Sequence, residues 1–332
     1  MTSSSPRVRR FTRLTTLAAA AIAVTLLSSC SSSSGTPANK SSSGDNTIRA
    51  TYAPTSAWLP VVIADQKGIF AKNGLTVKLT RLQNVDTAIG ALGKQFDITA
   101  ETATGVIQAA GHGIDIKVIA GNTVETSSNQ QLSLLVKASS ALHSYADLSH
   151  KSIGAASLTG ATHIATLEAM KKAGLDVTAV RTVETGFAVM GDQLAAGNVD
   201  AVEDVQPFTG GLLKAGTVRS LGDPLMTMSG GQPVPLTLWA AGGSWADSHA
   251  DQIAKWRTSL DQAASYIAQN PAQARQVLQQ VTGLPPAVTA VLLLPQSQTT
   301  IDAPAVQTWV DASKDVGEPT GSTTGAKLVV GS

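Results

Sequence analysis

Ser157, Thr159 and Thr162 crowd around Gly160, between a short apolar run and a helical pattern. The run from Lys151 to Ala156 reads as a buried strand. After the loop, Ile164, Leu167 and Met170 recur at threes, and Gly174 stands where a helix stop belongs. A Ser/Thr/Gly loop feeding a helix leaves backbone N–H groups unpaired and places hydroxyls beside them. That chemistry suits an anion or another hydrogen-bond acceptor. The same residues serve equally well as helix caps. No other constellation competes with this loop. The five histidines (112, 143, 150, 163 and 249) are scattered without metal-ligand spacing, so neither a metal nor a cofactor is expected.

The single cysteine, Cys30, excludes an intramolecular disulfide. Its setting gives it another role. Arg7, Arg9, Arg10 and Arg13 form a positive region ahead of the apolar stretch Leu17 to Leu27, which is too short to span a membrane. Leu27-Ser28-Ser29-Cys30 follows at once and looks like a bacterial lipobox, in which Cys30 is lipidated. An ordinary secretory signal with an incidental cysteine is the competing reading, and Arg9-Arg10-Phe11 hints at twin-arginine export. Residues 1–29 are thus expected to be an export signal, and 30–45 an anchor with a Ser-rich tether. A lipid anchor would hold the chain on the extracytoplasmic face of the cell membrane.

The elements that must position the loop follow a regular order. The chain has 332 residues, and about 290 remain after the export segment, enough for two lobes of ordinary size. Hydrophobic residues make up 43%, which allows a sizeable core, and the net charge of +1 argues against nucleic-acid binding. Strands are expected at 47–53, 75–82, 96–100, 114–120 and 132–136, then at 151–156, 179–183, 199–205, 218–221 and 236–241. Helical patterns separate most of them, which predicts parallel sheets covered on both faces. Beyond residue 250 the chain turns helical, over 250–269, 272–281, 287–294 and 303–316. Gly93-Lys94-Gln95-Phe96-Asp97 faintly repeats as Gly197-Asn198-Val199-Asp200, each a tight turn into a strand headed by aspartate. Two similarly built lobes are expected: 46–132 with 237–316, and 133–236. Residues 317–332 read as a loose tail.

Four stretches resemble a known family. They are Ala64 to Leu75, Ala109 to Val118, Asp147 to Leu175, and Leu194 to Ala201 with Gln206-Pro207-Phe208. In order and spacing they are similar to the solute-binding proteins of ABC importers that take nitrate, taurine, aliphatic sulfonates and thiamin pyrimidine precursors. The resemblance implies a two-lobed α/β fold of the type II periplasmic-binding-protein kind, each lobe a mixed sheet flanked by helices. It further implies a small-molecule ligand in the cleft between the lobes, closure about a hinge, permease and ATPase partners, and a monomer. On this pattern the candidate contacts are Thr55, Ser56 and Trp58 after the first strand, and Thr102 and Thr104 after the third. The second lobe would supply Thr159, Ala161 and Thr162, then Thr185, Asp204 and Gln206. Trp58 either walls the ligand or packs in the core.

The chain departs from the family at Glu203-Asp204, where apolar residues are usual, and Gln206 takes the usual acidic position. Neighbouring strand residues point to opposite faces, so at most one acid is expected in the cleft. An acid there would favour an amine, amide or hydroxyl and oppose a simple anion. Two other classes stay open: an enzyme on the same fold, and a surface receptor with no transporter. The scattered histidines and the anchored Cys30 weigh against the enzyme.

Overall fold

The computed structural model describes residues 47–82 and 85–331. The export signal, Cys30 and the tether lie outside the described residues. The described residues form one compact unit built on two five-stranded sheets.

The first sheet runs in the order β2 (Thr76–Arg81), β1 (Thr47–Tyr52), β3 (Ile98–Thr102), β10 (Val234–Gly242), β4 (Ile116–Glu125). β1 pairs parallel with β2 and β3, while β10 runs antiparallel between β3 and β4. The second sheet runs β7 (Arg181–Glu184), β6 (Ser152–Ala155), β8 (Ala201–Val205), β5 (Leu132–Lys137), β9 (Val218–Gly222). Here β6 pairs parallel with β7 and β8, and β5 lies antiparallel between β8 and β9. The fold is therefore two-lobed, with helices over mixed sheets. The chain crosses between the sheets twice, at 126–131 and at 223–233.

The faint repeat has a structural cause. Asp97, just ahead of β3, accepts hydrogen bonds from Arg49 N at 2.8 Å and Arg49 Nε at 3.0 Å. Asp200, just ahead of β8, accepts from Ser152 N and Ser152 Oγ, both at 2.8 Å. In each lobe one carboxylate ties the mouth of an inner strand to its parallel neighbour.

In the first lobe an aromatic chain anchors the core. Trp58 meets Trp239 edge-on at 5.0 Å, Trp239 meets Trp256 edge-on at 5.0 Å, and Phe70 stacks on Trp256 at 4.9 Å. Such pairs add stability beyond the area they bury. Trp256 sits on the long helix Ala250–Gln269, which has the expected bounds.

Two expectations in the C-terminal region need correction. The helix expected at 287–294 is only the turn Pro286–Thr289; Pro285 and Pro286 fix its start, and the chain turns at 290–292 and continues without regular secondary structure. The tail expected to be loose is folded back. It forms the short helix Gly325–Leu328, buries Leu328 and Val329, and bridges Val329 to Val118 on β4. Gly325 permits this: a Cβ there would stand 2.1 Å from Ala303 O. Among the described residues no helix is long and apolar enough to cross a membrane.

Candidate functional site

A cavity of about 480 Å³ opens between the two lobes at the carboxyl ends of their parallel strands. The first lobe contributes Thr55 and Ser56 after β1, Thr102 at the end of β3, and Thr123 and Thr237 from β4 and β10. The second contributes Ser157, Gly160, Ala161 and Thr162 after β6, Phe187, and Val205 to Phe208 after β8. Two-layer α/β folds collect ligand-facing loops at this end of their strands.

Three helix N-termini reach the cavity. Thr102 caps the helix Ala103–Gly111, its Oγ1 accepting from Gly105 N at 3.1 Å. Gly160 caps Ala161–Lys172 with extended backbone and no side-chain cap bond, so the first N–H groups of that helix have no capping oxygen. Gly186 caps Phe187–Ala196 in the same way. Unpaired N–H groups at helix starts favour a negatively polarised oxygen. The remaining walls are largely apolar, with Phe187 and Phe208 from the second lobe and Leu236, Leu284, Leu292 and Pro295 from the first.

Of the sequence candidates, Thr55, Ser56, Thr102, Ala161, Thr162 and Gln206 come together on the cavity wall. The others do not line it, each for a local reason. Trp58 is 3% exposed and belongs to the aromatic core, so its packing alternative holds. Thr104 is buried beside Thr102, with the two hydroxyls 3.3 Å apart. Thr159 lies at the contact between lobes, where its carbonyl accepts from Gln108 Nε2 at 2.7 Å. Thr185 continues the sheet, its N–H donating to Ala155 O at 2.8 Å and its methyl filling the space beside Gly154.

Asp204 and Glu203 are both fully buried, and neither lines the cavity. Glu203 Oε1 meets His163 Nδ1 at 2.7 Å, and Thr182 Oγ1 lies 3.3 Å from His163 Nε2. Burial pushes the Glu203 carboxyl up, and the His163 contact opposes it. Asp204 lies opposite Ser133 on β5 and accepts from Val205 N at 2.9 Å. Burial pushes its carboxyl up to about 7. The residues that reach the cavity from this strand end are Val205 and Gln206 instead.

Glu125 is the one ionisable side chain on the cavity wall among the described residues. It is fully buried at the end of β4, and Oε1 accepts from the backbone N–H groups of Gln131 and Leu132. Burial and the neighbouring Asp223 carboxyl push it up to about 9. It therefore holds its proton well above the usual carboxylate range. Asp204, offered from sequence as the acid of the cleft, is displaced by Glu125.

Sequence reasoning also missed the segment carrying Leu284, Leu292, Pro295 and Gln296. It has no motif; it reaches the cavity because it is laid along β4, with Val124 N donating to Gln296 O at 3.0 Å and Gly121 N to Thr299 O at 2.9 Å. Phe187 and Phe208 had signals: one follows Gly186 at a helix start, and the other ends the Gln206-Pro207-Phe208 corner.

The same architecture recurs in solved structures. The alkanesulfonate-binding protein SsuA from Xanthomonas axonopodis pv. citri, bound to MOPS, is similar at 21% identity and a TM-score of 0.69; the match covers 86% of this chain and 98% of that one. The periplasmic aliphatic sulphonate binding protein SsuA from Escherichia coli is similar at 20% identity and a TM-score of 0.71, over 82% of this chain and 92% of that one. The periplasmic nitrate-binding protein NrtA from Synechocystis PCC 6803 is similar at 13% identity and a TM-score of 0.64, over 86% of both chains. These likenesses show the fold. No curated protein sequence matches the chain. The family model described as NMT1/THI5 like matches residues 55–274, from the first cavity loop through both sheets and into the C-terminal helices. Covering about two thirds of the sequence, that match places the chain in the NMT1/THI5-like family.

Proposed function

We propose that the protein is the solute-binding component of an ABC importer, anchored by lipid at Cys30 on the extracytoplasmic face of the membrane. It captures one small molecule between its lobes and presents it to a permease driven by an ATPase, acting as a monomer. The observation that carries this reading is the interlobe cavity of about 480 Å³, walled by loops of both lobes on a fold shared with sulfonate- and nitrate-binding proteins. Cavities of this size suit a small organic molecule rather than a macromolecule.

The wall narrows the solute. Three helix N-termini and the hydroxyls of Thr55, Ser56, Thr102 and Thr162 suit a head group rich in hydrogen-bond acceptors. Phe187, Phe208 and the aliphatic wall suit an apolar body behind it. The cavity wall has no lysine, arginine or histidine among the described residues, so a small bare anion such as nitrate would lack a counter-charge. A nitrogen- or sulfur-containing molecule with an acceptor-rich head and an apolar body fits both parts: a substituted pyrimidine needs no counter-charge, whereas an alkanesulfonate would have only the helix N-termini and hydroxyls to offset its charge.

A thermal-shift screen tests the reading. The purified chain, freed of co-purified ligand by unfolding and refolding, is scanned with taurine, longer alkanesulfonates, nitrate, hydroxymethylpyrimidine and simple amines. A ligand at a hundred times its dissociation constant adds about 2.7 kcal/mol of stability. The expected hit carries an apolar body, and Phe187→Ala and Thr162→Val each weaken it at least tenfold. Failure of every compound, or a hit indifferent to both substitutions, would overturn the assignment of this cavity.

A further inference from the structure

Glu125 and Asp223 stand at the starts of the two crossings between the lobes. Glu125 closes β4 just before the crossing at 126–131. Asp223 follows β9 and caps the short helix Pro224–Met228, opening the return crossing at 223–233. Each acid uses one oxygen locally. Glu125 Oε1 accepts from Gln131 N and from Leu132 N, the latter at 3.3 Å, and so grips the far end of its own crossing. Asp223 Oδ1 accepts from Leu225 N at 2.8 Å and Met226 N at 3.3 Å. The second oxygens, Glu125 Oε2 and Asp223 Oδ2, are buried without a hydrogen-bond partner. Glu125 holds Leu132 at the start of β5, and Gly222, next to Asp223, pairs with Leu134 on the same strand, so the two carboxyls stand at one end of the β5–β9 pair.

Two ionised carboxylates in that position would repel and leave both oxygens unsatisfied, a costly arrangement in a dry interior. One proton between them gives each oxygen a partner. We infer that Glu125 and Asp223 share a single proton, and that this carboxyl pair clasps the two crossings together and positions Gln131 on the junction wall of the cavity.

Among the described residues, the charged groups around the pair are engaged elsewhere. Tyr145, packed beside Gly222, is the other titratable group facing the pair; burial, and more weakly the charge of Asp223, push its hydroxyl up to about 12, outside the relevant range. Arg219 on β9 donates to the carbonyls of Ser140 and Leu142. Lys172 reaches the far end of the short helix, at Met228 O. Lys137 lies at the opposite end of β5, near Gly197. β10, whose Val234 pairs with Glu125, has no ionisable residue.

The sign of the pH dependence follows from the direction of the shifts. Both acids hold their proton more tightly folded than unfolded. The stabilisation is complete below the ordinary carboxylate range and is lost as pH rises through the folded value near 9. Infrared spectroscopy in D₂O and thermal unfolding of the purified full-length chain test the clasp between pH 5 and pH 10. Glutamine at 125 keeps an acceptor for Gln131 and a donor for Asp223, so it mimics the protonated acid without titrating. Glu125→Gln should remove one protonated-carboxyl band at pH 7 and flatten the alkaline fall of the thermal midpoint by several degrees. Asp223→Asn should move the loss of that band at least one pH unit lower, a readout that holds even if the glutamine variant folds poorly. An unchanged band in both variants, or a parallel alkaline fall in wild type and Glu125→Gln, would overturn the proposal.

Discussion

In the first lobe Asp97 ties β3 to β1 through Arg49, and in the second Asp200 ties β8 to β6 through Ser152. The two sheets have the same strand plan, three parallel strands and two more added by antiparallel pairing. What fills them differs. The first sheet packs on a continuous cluster in which Trp58, Trp239, Trp256 and Phe70 touch in series. The second is covered by two small clusters, one around Leu134, Ile153 and Met170, the other around Leu135, Met190 and Leu194. Its inner strand β8 carries Glu203 and Asp204 side by side, fully buried. A common backbone plan thus tolerates two kinds of interior. One carries a continuous chain of rings. The other places two adjacent carboxyls on a single inner strand.

Substitutions can break that contrast. Trp256→Ala removes the ring that joins Trp239 to Phe70 and should cost about 3–5 kcal/mol in urea unfolding; a loss under 1 kcal/mol would mean that the rings are not the anchor. His163→Ala leaves Glu203 buried without its basic partner and should cost about 3 kcal/mol. Adding Glu203→Gln should recover part of that loss, and a double-mutant cycle showing additivity would separate the two side chains energetically. The Asp204 carboxyl is raised to about 7 by burial, so its stabilisation is full below about pH 4 and is lost as pH climbs to 7. Unfolding between pH 5 and pH 8 should show a decline of about 2 kcal/mol that Asp204→Asn lacks; equal declines would remove Asp204 from the account. Asp97→Asn and Asp200→Asn should each cost about 1 kcal/mol. Similar losses in both lobes would sharpen the shared plan, while a null effect in one would break it.

The ten strands were legible because β-branched and apolar runs bounded by Gly, Asn and Asp leave few alternatives. The cavity was legible at the level of loops, since loops after parallel strands collect at one end of a sheet. It was not legible residue by residue. Thr102 and Thr104 differ by two positions at one helix start; the first is at the wall and the second beneath it. Thr159 and Thr162 flank Gly160, and the contact with Gln108 across the lobes decides which of them lines the cavity. Glu125 sits in a plain strand end, Val124-Glu125-Thr126, and gains its interest only from Asp223 far along the chain. Long-range pairings of this kind leave no local periodicity to read.

β4 is the outer strand of the first sheet, yet it does not present a bare edge. Gln298 N donates to Asn122 O at 3.2 Å, and Val330 N donates to Val118 O at 3.1 Å, so two stretches from the end of the chain are laid along it. Gly121 makes room for the first, since a Cβ there would meet Gln298 O at 2.2 Å. An uncovered strand edge is a template for other chains. The final residues therefore act as a solubility guard. A chain trimmed before Gly325 would keep the cavity-lining residues intact while exposing part of a sticky margin, and would be expected to self-associate at high concentration.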